Sequence, residues 1–220
     1  MVTEIDSISQ HLEMVEDAVK DFKARFGIEA VIGISGGSNV KDELASAIIL
    51  DLLCGLKDRK IAILSGGTDS GVAKVATTIA REFNLPTVGV FPREGKKYVL
   101  LDILDLAIES LPPSYGRAGW GTETPTYVEL LNGMAVIEGE FGTLVEVGTV
   151  LSTNKKRIKD SKSIIYLCPI EGTGKTADIV RILPIVEVQG YYLPSYCLPE
   201  EKVDNGIDAA RFFRRKLFES

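Results

Sequence analysis

Ala30-Val31-Ile32-Gly33-Ile34-Ser35-Gly36-Gly37-Ser38 and Ile61-Ala62-Ile63-Leu64-Ser65-Gly66-Gly67-Thr68-Asp69-Ser70-Gly71 are written alike. In each, a short apolar run ends in Ser-Gly-Gly, and the two serines stand thirty positions apart. The runs read as buried strands. A helical pattern follows each: Glu43 to Leu56 carries Leu44, Ile48, Leu52 and Leu56 on one side, and a helix opening near Asp69 has Val72, Val75, Ile79 and Phe83 inside. Strand, loop and helix at that spacing make a βαβ unit. Strands that are apolar throughout belong in a parallel sheet covered on both faces. Two more glycine-rich loops close apolar runs: Glu138-Gly139-Glu140-Phe141-Gly142-Thr143 and Glu171-Gly172-Thr173-Gly174-Lys175-Thr176. Glycine lets backbone N–H groups approach a ligand. Parallel strands deliver their carboxyl ends to one sheet edge, so the four loops predict one composite pocket.

The rest of the chain fits around these units. Asp6 or Ser7 caps a first helix with Ile8, Leu12, Val15, Val19 and Phe22 at helical spacing, and Gly27 stops it. Thr87 to Phe91 is a third strand after Asn84-Leu85-Pro86. Tyr98 to Ser110 reads as a helix, a strand or one after the other. Pro112 to Gly116 is a loop that Gly119-Trp120-Gly121 extends, and Pro125 starts a short helix through Val128 and Leu131. Met134 to Ile137 and Ser163 to Pro169 are strands; Thr143 to Ser152 and Thr176 to Leu183 are helices. Ile185 to Val188 alternates like a strand, which Tyr191 to Pro194 breaks. A final helix runs from Asp204 to Phe218, with Ile207, Ala210, Phe213 and Leu217 on one side and Phe212 off the stripe. Five or six units fall short of a (β/α)₈ barrel, so the expected fold is a single α/β domain over residues 1–220. Its open, mostly parallel sheet has helices on both faces.

Composition narrows the function. The 220 residues are 45% hydrophobic and 25% charged, with net charge −6, and show no clustered basic surface of the kind nucleic acids need. The basic run Lys155-Lys156-Arg157 with Lys159 reads as a solvated helix end balanced by Asp160. Cys54, Cys168 and Cys197 are too few for a disulfide framework, and Cys54 and Cys168 read as buried thiols. The one histidine, His11, has no metal-ligand pair around it on its helix, which argues against a zinc site or a Ser-His-Asp triad built on it; the expectation is no metal and no cofactor. No signal peptide or membrane-length apolar run is present, which points to the cytoplasm.

Each loop has its own chemistry. Ser35 to Ser38 reads equally as a tight turn or as a ligand loop. Ser65 to Gly71, with Asp69 as a cap and Gly71 in the first helical turn, offers free N–H groups at a positive helix end, suited to phosphate or carboxylate. Gly71 also leaves room for a ligand. The loop at 171–176 lacks the earlier glycine of a Walker A motif, since that position is Pro169, but Lys175 reaches phosphate as a mobile charge. Glu138, Glu140 and Glu146 gather around Gly139 and Gly142, and carboxylates accept hydrogen bonds from ribose hydroxyls. The first reading of Glu146 is a favourable contact with its helix dipole; a catalytic role is second.

These residues resemble a family. Ile32 to Pro92 is similar to the amino-terminal half of LOG-type proteins, long misannotated as lysine decarboxylases. Gly139, Gly142, Thr143 and Glu146 match that family's P-G-G-x-G-T-x-x-E motif, with Glu138 in place of the proline and Glu140 in place of the second glycine. Glu138 to Leu144 also resembles the E-G-G-P-G-T-L of the LSDAT domain of melastatin-type TRP channels. Pro169 to Ile179 is similar to that branch's V-E-G-S-G-R-x-A-D-x-I, and Gly121-Thr122-Glu123 echoes its Y-G-x-E. Residues 30 to 183 are thus identified as SLOG-like. The resemblance implies a Rossmann-like fold that binds a nucleotide-derived ligand, as a sensor or binding domain. The LOG alternative is a phosphoribohydrolase, cleaving the N-glycosidic bond of a nucleoside monophosphate with a motif glutamate, here Glu146, and an upstream arginine. The matching neighbourhood reads Thr122-Glu123-Thr124, and Arg117 is the nearest arginine, so this chain departs from the hydrolase pattern. The expected ligand-binding set is Ser35, Gly36, Gly37, Ser38, Gly66, Gly67, Thr68, Asp69, Ser70, Gly71, Glu123, Glu138, Gly139, Gly142, Thr143, Gly172, Thr173, Gly174 and Lys175. The expected partners are that small ligand and further copies of the chain, as a homodimer or larger homo-oligomer, without nucleic acid or membrane.

Overall fold

The strands alternate their side chains between two cores. Ile32, Ile34, Ile61, Ile63, Ala135 and Cys168 point to one; Val31, Ala62, Leu64, Met134, Val136 and Leu167 point to the other, and all are buried. The structure, a computed structural model, describes residues 2–110, 121–170 and 197–219. Its strands are β1 (Ala30–Ser35), β2 (Ile61–Ser65), β3 (Thr87–Pro92), β4 (Leu106–Ser110), β5 (Gly133–Val136) and β6 (Tyr166–Pro169). They form one six-stranded sheet in the order β4-β3-β2-β1-β5-β6, and every ladder is parallel. This is an α/β Rossmann-like architecture.

Among the described residues, six helices cover the sheet. These are α1 (Val2–Phe26), α2 (Asp42–Cys54), α3 (Gly71–Glu82), α4 (Thr124–Glu129), α5 (Phe141–Lys159) and α6 (Gly206–Phe218). Residues of α2, α3 and α6 share the first core, while α4, α5 and Phe22 of α1 share the second. Gly27, at φ +64°, ends α1 as the sequence predicts. Among the described residues, no helix is long and apolar enough to cross a membrane.

Polar clamps fix the layers. The buried Asn154 side chain on α5 accepts from the Ile165 N–H (2.7 Å) and donates to the Ile165 carbonyl (2.8 Å), which sets the approach to β6. Arg157 donates to the carbonyls of Leu131 (3.1 Å) and Glu129 (3.0 Å). The basic run is a helix end, as expected, but this arginine works as a brace between α5 and α4.

Several expectations change. The first helix begins at Val2, before the cap predicted at Asp6 or Ser7. Tyr98 to Ser110 resolves into the end of one 3₁₀ turn, a second turn at Leu101–Ile103, and then edge strand β4. Leu44 is exposed on the first turn of α2, and Cys54 at its last residue is exposed and not buried. On α6, Ile207 faces solvent while Phe212 is buried. This helix is wedged between α2 and β6, so its covered face is wider than a stripe. Phe212 meets Tyr166 edge-on at 6.2 Å, and Phe213 sits over Gly133. The helix expected at Thr176 to Leu183, the strand at Ile185 to Val188 and the loop at Pro112 to Gly116 lie outside the described residues.

The seat of α6 rests on Gly206. A Cβ there would run into the Ile48 carbonyl oxygen and lie 2.6 Å from the Leu52 nitrogen, both backbone atoms of α2. Asn205 caps the helix by accepting from the Asp208 N–H at 2.9 Å. Gly206→Ala is therefore expected to destabilise the fold by about 3 kcal/mol through forced separation of the two helices, read as a lower urea midpoint. The Asn205→Ala loss should be about 1 kcal/mol.

Candidate functional site

In the sheet order, β1 has β2 on one side and β5 on the other. The chain leaves β1 toward the first core through α2 and leaves β5 toward the second through α5. The loops after the two strands therefore diverge and open a crevice at the carboxyl edge, the usual ligand position in open α/β sheets.

Three of the four glycine loops meet there. The Gly37 N–H donates to the Glu138 carbonyl at 2.8 Å, and the Gly37 carbonyl accepts from the Val72 N–H at 3.2 Å. A Cβ at Gly139 would collide with Thr143 Oγ1 and lie 3.1 Å from the Gly37 nitrogen. A Cβ at Gly71, where φ is +51°, would collide with the Gly37 carbonyl oxygen and lie 2.6 Å from the Ser38 backbone. These glycines let the loops touch one another. The space that sequence reading assigned to a ligand beside Gly71 is filled by the first loop.

The loops enclose a cavity of about 790 Å³. Of the residues expected at the site, Ser35, Gly36, Gly37, Ser38, Gly66, Thr68, Asp69, Ser70, Glu123, Gly142, Thr143 and Glu146 line it. Gly67, Gly71, Glu138 and Gly139 stand behind the wall, with Gly67 turned toward Gly89 and Leu104. Arg117, Gly172, Thr173, Gly174 and Lys175 lie outside the described residues. A second cavity, of about 620 Å³ beside α6, shares no residue with the first, and its Arg211 and Arg214 are paired with Asp208 and Asp58.

One wall is made of backbone amides. The Gly67 N–H is spent on Ser65 Oγ (3.0 Å), that of Asp69 on the Tyr98 carbonyl (2.8 Å) and that of Val72 on Gly37. Among the described residues, the amides of Gly66, Thr68 and Ser70 have no acceptor. They stand at the amino end of α3, where the helix dipole favours an anion. Asp69 does not cap this helix: Ser70 occupies the cap position without a side-chain bond, and Asp69 pairs with Lys74 at 3.1 Å.

The floor is acidic. Glu146, one turn into α5, accepts a hydrogen bond from the buried Ser35 hydroxyl at the end of β1. Its residue keeps some surface toward the cavity while protein encloses its carboxyl. Burial pushes that carboxyl from the usual 4.5 up to about 7; the Ser35 bond opposes the rise and the charge of Glu123 adds to it. Burial also raises Glu123, whose carboxylate accepts from the Gly121 N–H at 2.8 Å. Tyr127, 2% exposed, lines the cavity, and its buried hydroxyl has no hydrogen-bond partner among the described residues. Burial, then the nearby Glu146, hold the phenol well above its ordinary pKa, so it is a neutral donor. Gly33 makes room for it, since a Cβ there would lie 2.8 Å from the hydroxyl. Sequence reading passed over Tyr127. The available signal was its i, i+4 spacing from Glu123, which puts both on one side of a short helix.

The mouth is aromatic. Tyr98, Phe141 and Val145 line the cavity, and Asn39 Nδ2 donates to Glu140 Oε1 at 3.1 Å between the first and third loops.

No family model matches this chain, and no curated protein does. Solved structures do. The crystal structure of the protein TM1055, a structural-genomics target, is 17% identical over 84% of this chain and 99% of its own, with TM-score 0.62. The molybdenum cofactor carrier protein of Chlamydomonas reinhardtii is 19% identical, over 87% of this chain and 99% of its own, with TM-score 0.59. The molybdenum cofactor binding protein of the phototrophic bacterium Rippkaea orientalis is 20% identical, over 70% and 83%, with TM-score 0.50. At these identities the likeness is one of fold.

Two measurements test the floor. Between about pH 4.5 and 7 the folded chain holds a proton on Glu146 that the unfolded chain releases, so this group lowers stability as pH rises through that window. Glu146→Gln should match the parent near pH 5 and exceed it by up to about 3 kcal/mol near pH 8 in urea titrations. Tyr127→Phe removes an unsatisfied buried hydroxyl, so the empty protein should keep its stability or gain about 1 kcal/mol.

Proposed function

We propose that the cavity binds a nucleotide-derived ligand through a phosphorylated ribose, as a SLOG-type sensor or binding domain. The observation that carries this reading is the pairing of two unlike walls. Unspent amides of Gly66, Thr68 and Ser70 sit at a helix amino end, and a carboxyl group joined to Ser35 forms the floor. The amides suit phosphate. Glu146, Glu123 and Tyr127 together offer acceptors and a donor, which suits sugar hydroxyls. The cavity volume is in the range of small-molecule sites, roughly 300–1,000 Å³. The similar carrier proteins, described as binding or carrying a molybdenum cofactor, favour a small ligand on this fold. The motif resemblance to LOG-type and LSDAT sequences favours a nucleotide-type one.

One observation favours the hydrolase as a second reading. A carboxyl that titrates near 7 exchanges its proton at neutral pH, as a general acid or base must. In that reading the ionised Glu146 also faces the positive charge that develops on ribose as the base departs.

The test is a panel of nucleoside monophosphates and ADP-ribose-like compounds, scored for thermal shift and for free base. At least one compound is expected to stabilise the chain by about 2.7 kcal/mol at a hundredfold excess over its Kd. Base release that Glu146→Gln abolishes makes the chain a hydrolase; stabilisation without release makes it a sensor. No shift with any compound refutes both readings.

A further inference from the structure

The mouth of the cavity is built unlike its walls and floor. Phe141 opens α5 with 84% of its surface exposed, Val145 one turn later is 51% exposed, and Tyr98 across the second loop is 52% exposed. All three line the same cavity as the amides and Glu146. The Tyr98 carbonyl accepts from the Asp69 N–H at 2.8 Å, and beside Phe141 the Glu140 side chain accepts from the Asn39 side chain at 3.1 Å. Gly142, also on the wall, has open space where a side chain would stand. One face of the Tyr98 ring carries the Lys97 ammonium at 4.8 Å.

We infer that Phe141, with Tyr98 and Val145, is a stacking platform for the planar ring of a nucleotide base. The inference rests on the proposed phosphorylated-ribose site and extends it. With phosphate on the α3 amides and ribose at the floor, the remaining part of the ligand projects through the mouth. A sugar phosphate alone leaves these apolar side chains in water, whereas a planar ring covers them. Aromatic stacking tolerates any base, because every base has a π-face. The ligand class is therefore nucleotides, with the affinity of the ring set by Phe141 and little discrimination among bases at this position.

Calorimetric titration of the full chain tests this with AMP, GMP, UMP and ribose 5-phosphate, on the parent, Phe141→Ala and Phe141→Tyr. The parent is expected to bind the nucleotides about ten- to a hundredfold more tightly than ribose 5-phosphate. Phe141→Ala should erase that preference and leave ribose 5-phosphate affinity and melting temperature unchanged, and Phe141→Tyr should retain the preference. Equal parent affinity for nucleotides and ribose 5-phosphate overturns the platform while the sugar-phosphate site stands. So does nucleotide binding by Phe141→Ala at parental strength, or equal loss of all four probes. Binding of none of the four by the parent overturns both.

Discussion

Gly37 is the residue on which the site turns. Its N–H is tied to the loop after β5 and its carbonyl to the first turn of α3, so one residue joins three separate βα connections. Backbone can meet backbone this closely only where side chains are absent. That is why Gly71 and Gly139 flank it and why a Cβ at either would collide. The packing also decides which amides remain. Those that brace the loops, at Gly37, Gly67, Asp69 and Val72, are consumed, and those of Gly66, Thr68 and Ser70, residues that line the cavity, are left without an acceptor among the described residues. Rigidity and binding capacity thus come from adjacent members of the same set of N–H groups.

The floor follows a different economy. Ser35 ends a fully buried strand, and Glu146 reaches it from the first turns of α5, so their hydrogen bond spans the divergence between β1 and β5. Enclosing a carboxyl there raises its affinity for a proton, and a second acid, Glu123, raises it further. Tyr127 supplies a proton donor that the described protein leaves unanswered. The amide wall favours negative charge, while the acidic floor disfavours it. A ligand that is anionic at one end and hydroxylated at the other meets both demands.

Sequence was most informative where burial is two-sided. The apolar runs of β1, β2, β3 and β5, and the Ser-Gly-Gly spacing, carry the parallel sheet and the meeting of the loops. β4 was ambiguous because it lies at the sheet edge, where Leu106 and Glu109 are partly exposed and the pattern is mixed. α6 misled because a helix held between two partners buries Phe212 as well as Phe213. For the site, glycine was legible as a residue type but not in its purpose. Gly66 lines the cavity with room around it, Gly36 lines it but is pressed against the Val72 side chain, and Gly71 and Gly139 face other loops, a distinction that only the three-dimensional meeting of the connections makes. Tyr127 was legible only through its spacing from Glu123, because an unpaired hydroxyl is a property of its surroundings.

The position of α6 has a consequence for biosynthesis. Residues 206–218 supply Ala210 against Gly55 and the Phe213 ring over Gly133, and so close a core whose other walls come from α2, β5 and β6. A nascent chain can pair its strands from Ala30 to Pro169 and still present an apolar face until those residues leave the ribosome. During that interval the exposed face is available to chaperones and to other nascent chains. Late arrival of this one amphipathic segment makes the first core the last to be sealed.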